Sequence, residues 1–219
     1  MDVDVAAEDD AVAEAAADMV EDGMWVGLGT GSTVAHLLPA IARRKRAIRC
    51  VATSPHTEEA ARRLGIDMEP FASLERLDLA IDGADQIAPD GWLVKGGGAA
   101  HTREKLVAIT ADRFVVIAAS TKPVARLHGP VPVELLAFGL ASTLRRLGEV
   151  HMRDVPPSPD GGVIADYTGA LEDPAAVAQW LSATPGVVEH GLFPPEMVTM
   201  ALVGRGSTGK VETMTFARH

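Results

Sequence analysis

Between Leu79 and Leu106 the sequence reads LAIDGADQIAPDGWLVKGGGAAHTREKL, a segment dense in groups that can move a proton. Asp82 and Asp85 follow an apolar run, Lys95 precedes the glycines Gly96, Gly97 and Gly98, and Glu104 stands a little further on. Removing a proton from carbon next to a carbonyl needs a base and a partner that stabilises the resulting enediolate. Glu104 is the candidate base, Lys95 the candidate partner, and the glycines let the backbone approach a ligand closely. Asp82 and Asp85 can hydrogen-bond sugar hydroxyls or pass a proton to a ring oxygen, although an Asx-turn would use the same residues. His101 is a second titratable group here, but a lone histidine beside a glycine run more often hydrogen-bonds locally than acts in catalysis.

A second segment, GLGTGST (27–33), lies between an expected strand and an expected helix. Ser32 occupies the third glycine position of the dinucleotide fingerprint, and the segment lacks the GK[ST] ending of a P-loop. What remains is Thr30, Gly31, Ser32 and Thr33 at a helix N-terminus, where free N–H groups and the helix dipole favour a phosphate monoester. A tight strand–helix turn with Ser32 as N-cap is the competing reading.

These residues must be placed by a scaffold, and the pattern around them alternates strand and helix. Val12, Ala15, Ala16, Met19 and Val20 share one face of a first helix that Gly23 ends. MWVGL and AIRCVAT read as strands. A helix starts near Ser32 and is expected to kink or split at Pro39. Ser54 caps the next helix, Pro55 opens it and Gly65 stops it. LDLAI, WLV and RFVVIAA supply further strands, so both aspartates sit where a buried strand breaks into a loop. The class expected is α/β: a doubly wound, mainly parallel, Rossmann-like sheet.

After about Pro130 the pattern changes. A helix carrying Leu136, Leu140, Leu144 and Leu147 precedes strands around HMRDV and GVIADYT; Asp173 and Pro174 open another helix; GVVEHGLF and MVTMALVG follow as strands. That order describes a smaller α+β, ferredoxin-like plait. KVETMTFA is expected to rejoin the main sheet, giving one unit from 1–130 with 204–219 and a second from 131–203.

Composition narrows the function. The chain has 219 residues and a net charge of −10, which argues against a nucleic-acid partner. Cys50 is the single cysteine and lies in an apolar run, so it reads as a core residue. The acidic start MDVDVAAEDD does not resemble a signal peptide, and no run approaches the ~20 apolar residues of a membrane helix. A cytoplasmic protein is expected. The histidines lack HExxH-like spacing, so no metal site is expected.

GLGTGST, TSPHTEEAARRLGI, DGADQ, VKGGGAAHTREK, STKPVARLHGPVPVE and PGVVEHGLF occur in order across nearly the whole chain. In these motifs the sequence resembles the ribose-5-phosphate isomerase A family. The resemblance implies an aldose–ketose isomerase that interconverts D-ribose 5-phosphate and D-ribulose 5-phosphate, in the non-oxidative branch of the pentose phosphate pathway, without metal or organic cofactor. It implies that Glu104 shuttles the proton between C1 and C2 and that Asp82 helps open the sugar ring. Asp85 and Lys95 would bind hydroxyls and steady the enediolate, while Thr30, Ser32, Thr33 and Lys122 would hold the phosphate. It also implies a homodimer or homotetramer. The family often carries a lysine in the first helix where this chain has Glu8, Asp9 and Asp10. Gln86 replaces an acid after DGAD, His101 replaces a leucine, and GGVIADY lacks a common asparagine. Two other classes compete: a non-catalytic sugar-phosphate sensor, which intact Glu104 and Lys95 disfavour, and a CoA-transferase-like enzyme, which the hydroxyl-rich loop fits poorly.

Overall fold

The computed structural model of the chain describes residues 4–206 and 209–216; the first three residues of the acidic start and Ala217 of KVETMTFA lie outside them. The main sheet contains β1 (Trp25–Leu28), β2 (Arg49–Ala52), β3 (Leu79–Asp82), β6 (Phe114–Ala118), β12 (Met200–Arg205) and β13 (Lys210–Thr215). Their order is β13-β12-β6-β3-β1-β2, and every neighbouring pair is parallel except β12 with β13. The chain leaves β1 toward one edge and β3 toward the other. Ligands in such sheets bind beyond the carboxyl ends of the strands at this switch point, between β1 and β3. GLGTGST follows β1 and DGAD completes and follows β3, so both motifs reach the same crevice.

Alternation along β6 shows why both faces are covered. Val115 and Ile117 pack with Val12 and Ala16 of α1 (Val5–Ala17) and Leu37 and Ile41 of α2 (Ser32–Arg44). Phe114 and Val116 pack on the other side with Val107 and Ala108 of α4 (His101–Thr110). Each fully buried leucine or isoleucine in these layers contributes ~1.5–3 kcal/mol. Helix α3 (Pro55–Arg63) has the expected start, with the Ser54 hydroxyl accepting from Thr57 N–H.

Several expectations change. Helix α2 runs unbroken through Pro39, because Leu37, Leu38, Ala40 and Ile41 around it are all buried. That packing outweighs the ~3 kcal/mol an internal proline costs. Helix α1 ends at Ala17, so Met19 and Val20 lie beyond it. WLV does not join the main sheet: β5 (Leu93–Val94) lies between β4 (Gln86–Ile87) and β11 (Leu192–Phe193) in a small antiparallel sheet. MVTMALVG, expected in the second unit, instead forms β12 in the main sheet, parallel to β6.

The second unit is a plait built from β7 (Val131–Leu135), α5 (Leu140–Leu147), β8 (Val150–Met152), β9 (Val163–Tyr167), α6 (Pro174–Ala183) and β10 (Val187–His190), with strand order β10-β7-β9-β8. β7 is absent from the sequence reading because Pro132 and Glu134 interrupt its apolar run. Glu134 is buried, and its carboxylate is satisfied by the hydroxyls of Thr102 and Ser158. Leu136 follows this strand and is not part of the helix; Gly139, at φ +74°, turns the chain into α5.

Candidate active site

β3 delivers Asp82, the loop after β5 delivers Lys95, and the first turn of α4 delivers Glu104. Lys95 Nζ lies 2.9 Å from Asp82 Oδ2 and 3.1 Å from Glu104 Oε2, with all three side chains no more than 4% exposed. The ammonium also donates to Gly83 O at 2.6 Å. Asp82 Oδ1 accepts from Thr30 N–H at 3.1 Å and Gly83 N–H at 2.7 Å. Asp82 Oδ2 and Glu104 Oε2 meet the ammonium as ion contacts outside hydrogen-bonding geometry, so neither oxygen is saturated.

With both carboxylates ionised, the single ammonium would leave this buried trio one negative charge in excess. Burial, and then the Asp82 charge, push the Glu104 carboxyl up to about 8, against the opposing pull of Lys95. Burial alone would lower Lys95, but Asp82 and Glu104 outweigh it and hold the ammonium charged. Burial also raises Asp82, offset in part by Lys95. A carboxylate with raised proton affinity beside a fixed cation suits abstraction of a proton from carbon.

Glycines make the approach feasible. A Cβ at Gly29 would fall 1.9 Å from the Asp82 carboxyl, and one at Gly191 would fall 2.1 Å from Lys95 O. Gly96 sits at φ +102°. The cavity these residues enclose measures about 140 Å³ and is lined by Thr30, Gly31, Ser32, Thr33, Asp85, Lys95, Gly96, Gly97, Gly98, Glu104 and Lys122, among others. Asp82 does not line it and sits beneath Lys95. Asp85 does line it, and its Oδ2 accepts from Gly97 N–H at 2.8 Å. Among the described residues no cluster of three or more His, Cys, Asp or Glu side chains is placed to hold a metal ion. Cys50 is buried, and burial pushes its thiol up to about 12.

The sequence reading missed supports behind this wall. Thr30 Oγ1 meets Thr53 Oγ1 and Ser54 Oγ, each at 2.8 Å, and Thr57 Oγ1 at 3.3 Å, so a hub of hydroxyls fixes the loop after β1. The run of hydroxyls in TSPHT was the available signal. Arg153, more than fifty residues from the glycines, donates to Gly96 O, and nothing in its local sequence announces this.

The sequence profile of ribose 5-phosphate isomerase A (phosphoriboisomerase A) matches residues 49–208. The chain belongs to this family. Ribose-5-phosphate isomerase A of Rhodopseudomonas palustris (strain HaA2) is 42% identical over 217 residues, covering 90% of this chain and 94% of the relative. The ribose 5-phosphate isomerase A structure from Methanocaldococcus jannaschii superposes with a TM-score of 0.88 at 30% identity, covering 94% of this chain and 97% of that one. A D-ribose-5-phosphate isomerase solved in complex with phospho-erythronic acid gives 0.88 at 29% identity, covering 98% and 100% of the two chains.

The positions at which the sequence reading expected departures from the isomerase A pattern have distinct surroundings. Glu8 and Asp9 are buried, whereas Asp10 is turned outward to His36 at 2.6 Å. Asp9 accepts from Thr33 Oγ1 at 3.0 Å, just behind the loop after β1, and burial raises its carboxyl. Gln86 faces away from the cavity: its amide accepts from His128 N–H at 2.9 Å and donates to His128 O at 2.8 Å, bracing the segment after Lys122. His101 is fully buried with neither ring nitrogen hydrogen-bonded, and burial depresses it to about 4, so it is neutral at neutral pH.

Proposed function

We propose that this chain is a ribose-5-phosphate isomerase that interconverts D-ribose 5-phosphate and D-ribulose 5-phosphate through an enediolate. The observation carrying this reading is the Glu104–Lys95 contact of 3.1 Å at the wall of a cavity that also receives the loop 30–33. With the sugar open, Glu104 removes the proton from C2 of the aldose to give the enediolate, the O2 hydroxyl proton passes to O1, and Glu104 returns its proton to C1, giving the ketose. Negative charge develops on the substrate oxygens during that step, and Lys95 stands where its charge favours the enediolate over the ground state.

The phosphate is assigned to the other end of the cavity. Thr30, Gly31, Ser32 and Thr33 open α2, where backbone N–H groups lack helical partners, and Lys122 supplies a cation. Asp85 and the N–H groups of Gly96, Gly97 and Gly98 are assigned to the sugar hydroxyls between the two ends. Asp82, lying beneath Lys95, is assigned to fixing the ammonium; the ring-opening role expected of it would require a path from its buried carboxyl to the sugar. This reading needs no metal or organic cofactor and includes a cytoplasmic homodimer or homotetramer; no helix of the described residues is long and apolar enough to cross a membrane.

Direct assay of ribose 5-phosphate isomerisation in the presence of a chelator tests the function. Turnover that is unaffected by chelator supports it, and absence of ribulose 5-phosphate contradicts it. Light scattering tests the assembly, for which a monomer at micromolar concentration is the contrary result.

A further inference from the structure

Arg153 follows β8 in the plait and does not line the cavity, yet it reaches the catalytic loop. Its Nη1 donates to Gly96 O at 2.9 Å and Gly97 O at 3.3 Å. Its Nε and Nη2 donate to the two carboxylate oxygens of Asp166 on β9, at 2.8 Å and 2.6 Å. All three guanidinium nitrogens are therefore engaged, and the Asp166 carboxylate neutralises the charge.

That geometry has a consequence for the peptide planes. In a trans peptide the C=O of one residue and the N–H of the next point in opposite directions. With the Gly96 carbonyl drawn to Arg153, the Gly97 N–H must point the other way, and it does so onto Asp85 at 2.8 Å. With the Gly97 carbonyl drawn to the same group, the Gly98 N–H is turned away from Arg153 as well, and it donates to no protein acceptor among the described residues. Gly98 lines the cavity. Gly96 O also accepts from Ala99 N–H at 3.1 Å, so a turn shares in holding that peptide, whereas no other donor among the described residues meets Gly97 O, and a glycine peptide without a partner is free to rotate.

We propose that Arg153, anchored by Asp166, is a positioning residue through which the plait sets the glycine peptides and aims the Gly97 and Gly98 N–H groups at Asp85 and the substrate. A lysine cannot replace it, because one ammonium cannot hold the carboxylate and two carbonyls in the fixed fork that guanidinium provides. The inference rests on the isomerase reading above.

The test compares wild type with Arg153→Ala, Arg153→Lys and Asp166→Asn, using ribose 5-phosphate kinetics alongside thermal unfolding. Both Arg153 variants should lose roughly ten- to hundredfold in kcat, the scale of catalytic groups misplaced by about 1 Å, with KM changed far less. Guanidinium ion at millimolar concentration should restore part of the Arg153→Ala loss but none in Arg153→Lys, and Asp166→Asn should fall between wild type and the Arg153 variants. Amide hydrogen exchange should quicken at 96–98 and not at 30–33. An active wild type whose folded variants keep their kcat, or lose only KM, overturns the role of Arg153, as does unchanged exchange at 96–98. A wild type that does not isomerise ribose 5-phosphate overturns the functional reading instead, and the exchange measurement still decides the positioning.

Discussion

The two ends of the cavity are held by different physics. At the loop after β1, neutral groups predominate, with Lys122 the cation lining the same cavity: Thr30, Thr53, Ser54 and Thr57 share hydroxyl hydrogen bonds, and the start of α2 presents its backbone. Around Glu104, ions do it. Lys95 lies between Asp82 and Glu104, Lys105 meets Glu189 at 2.6 Å, and Arg103 grips Asp160 at 2.7 Å. The contrast follows from where charge originates. A phosphate brings its own charge, so dipoles can receive it without burying an ion in the empty site. An enediolate acquires charge only during reaction, so compensating charge must already be in place there.

Substitutions can break this contrast in order of expected effect. Glu104→Gln keeps the shape but removes the proton acceptor, and turnover should fall ~10²–10⁴-fold while ribose 5-phosphate, measured by calorimetry, still binds. Lys95→Ala should lower kcat more than it raises KM, and the orphaned carboxylates should cost on the order of 3–5 kcal/mol of stability in a thermal melt. A KM effect alone would make Lys95 a substrate anchor. At the neutral end, replacing Ser32 and Thr33 by alanine should weaken phosphorylated sugars more than free ribose, chiefly in KM. Equal losses for both ligands would erase the distinction between the two ends.

The smallest effect is expected at Asp9, a buried acid behind the loop after β1. When ionised it holds the only proton of the Thr33 hydroxyl and repels a phosphate. Asp9→Asn should lower KM for ribose 5-phosphate by several-fold, consistent with about 1 kcal/mol, and the gain should shrink with salt. Asp10→Asn, on the exposed pair with His36, should change nothing. Unchanged KM in Asp9→Asn would show that the loop does not sense this charge.

Acidity offers a further check. Because burial and Asp82 raise Glu104 toward about 8, its base form grows as pH rises through the neutral range. The kcat/KM of the wild type should therefore climb with pH there and level off above it. A rate flat from mildly acidic to mildly basic pH would mean the group that must be deprotonated is an ordinary carboxylate.

How much of this was legible depended on how local the cause was. Ser54 capping α3, Asp173 capping α6 and the apolar β3 ending at Asp82 are short-range signals that the sequence carries openly. The candidate site was legible too, since loops after β1, β3 and β5 each contribute a compact motif. β7 was hidden because the partners that satisfy Glu134, Thr102 and Ser158, are far away in sequence. The same distance concealed Arg153 on Gly96 and the inward turn of Asp9 onto Thr33. Placement of β12 in the main sheet rests on its pairing with β6, which no periodicity within MVTMALVG encodes.

The central claim is that Glu104 carries the proton between the two carbons. Nuclear magnetic resonance of ribose 5-phosphate turning over in D₂O measures this directly, by following deuterium at the carbon that receives the proton. Wild type should incorporate solvent deuterium there, and Glu104→Gln, while still binding ribose 5-phosphate, should incorporate almost none. Exchange at the wild-type rate in Glu104→Gln would contradict the account and assign the base to another group.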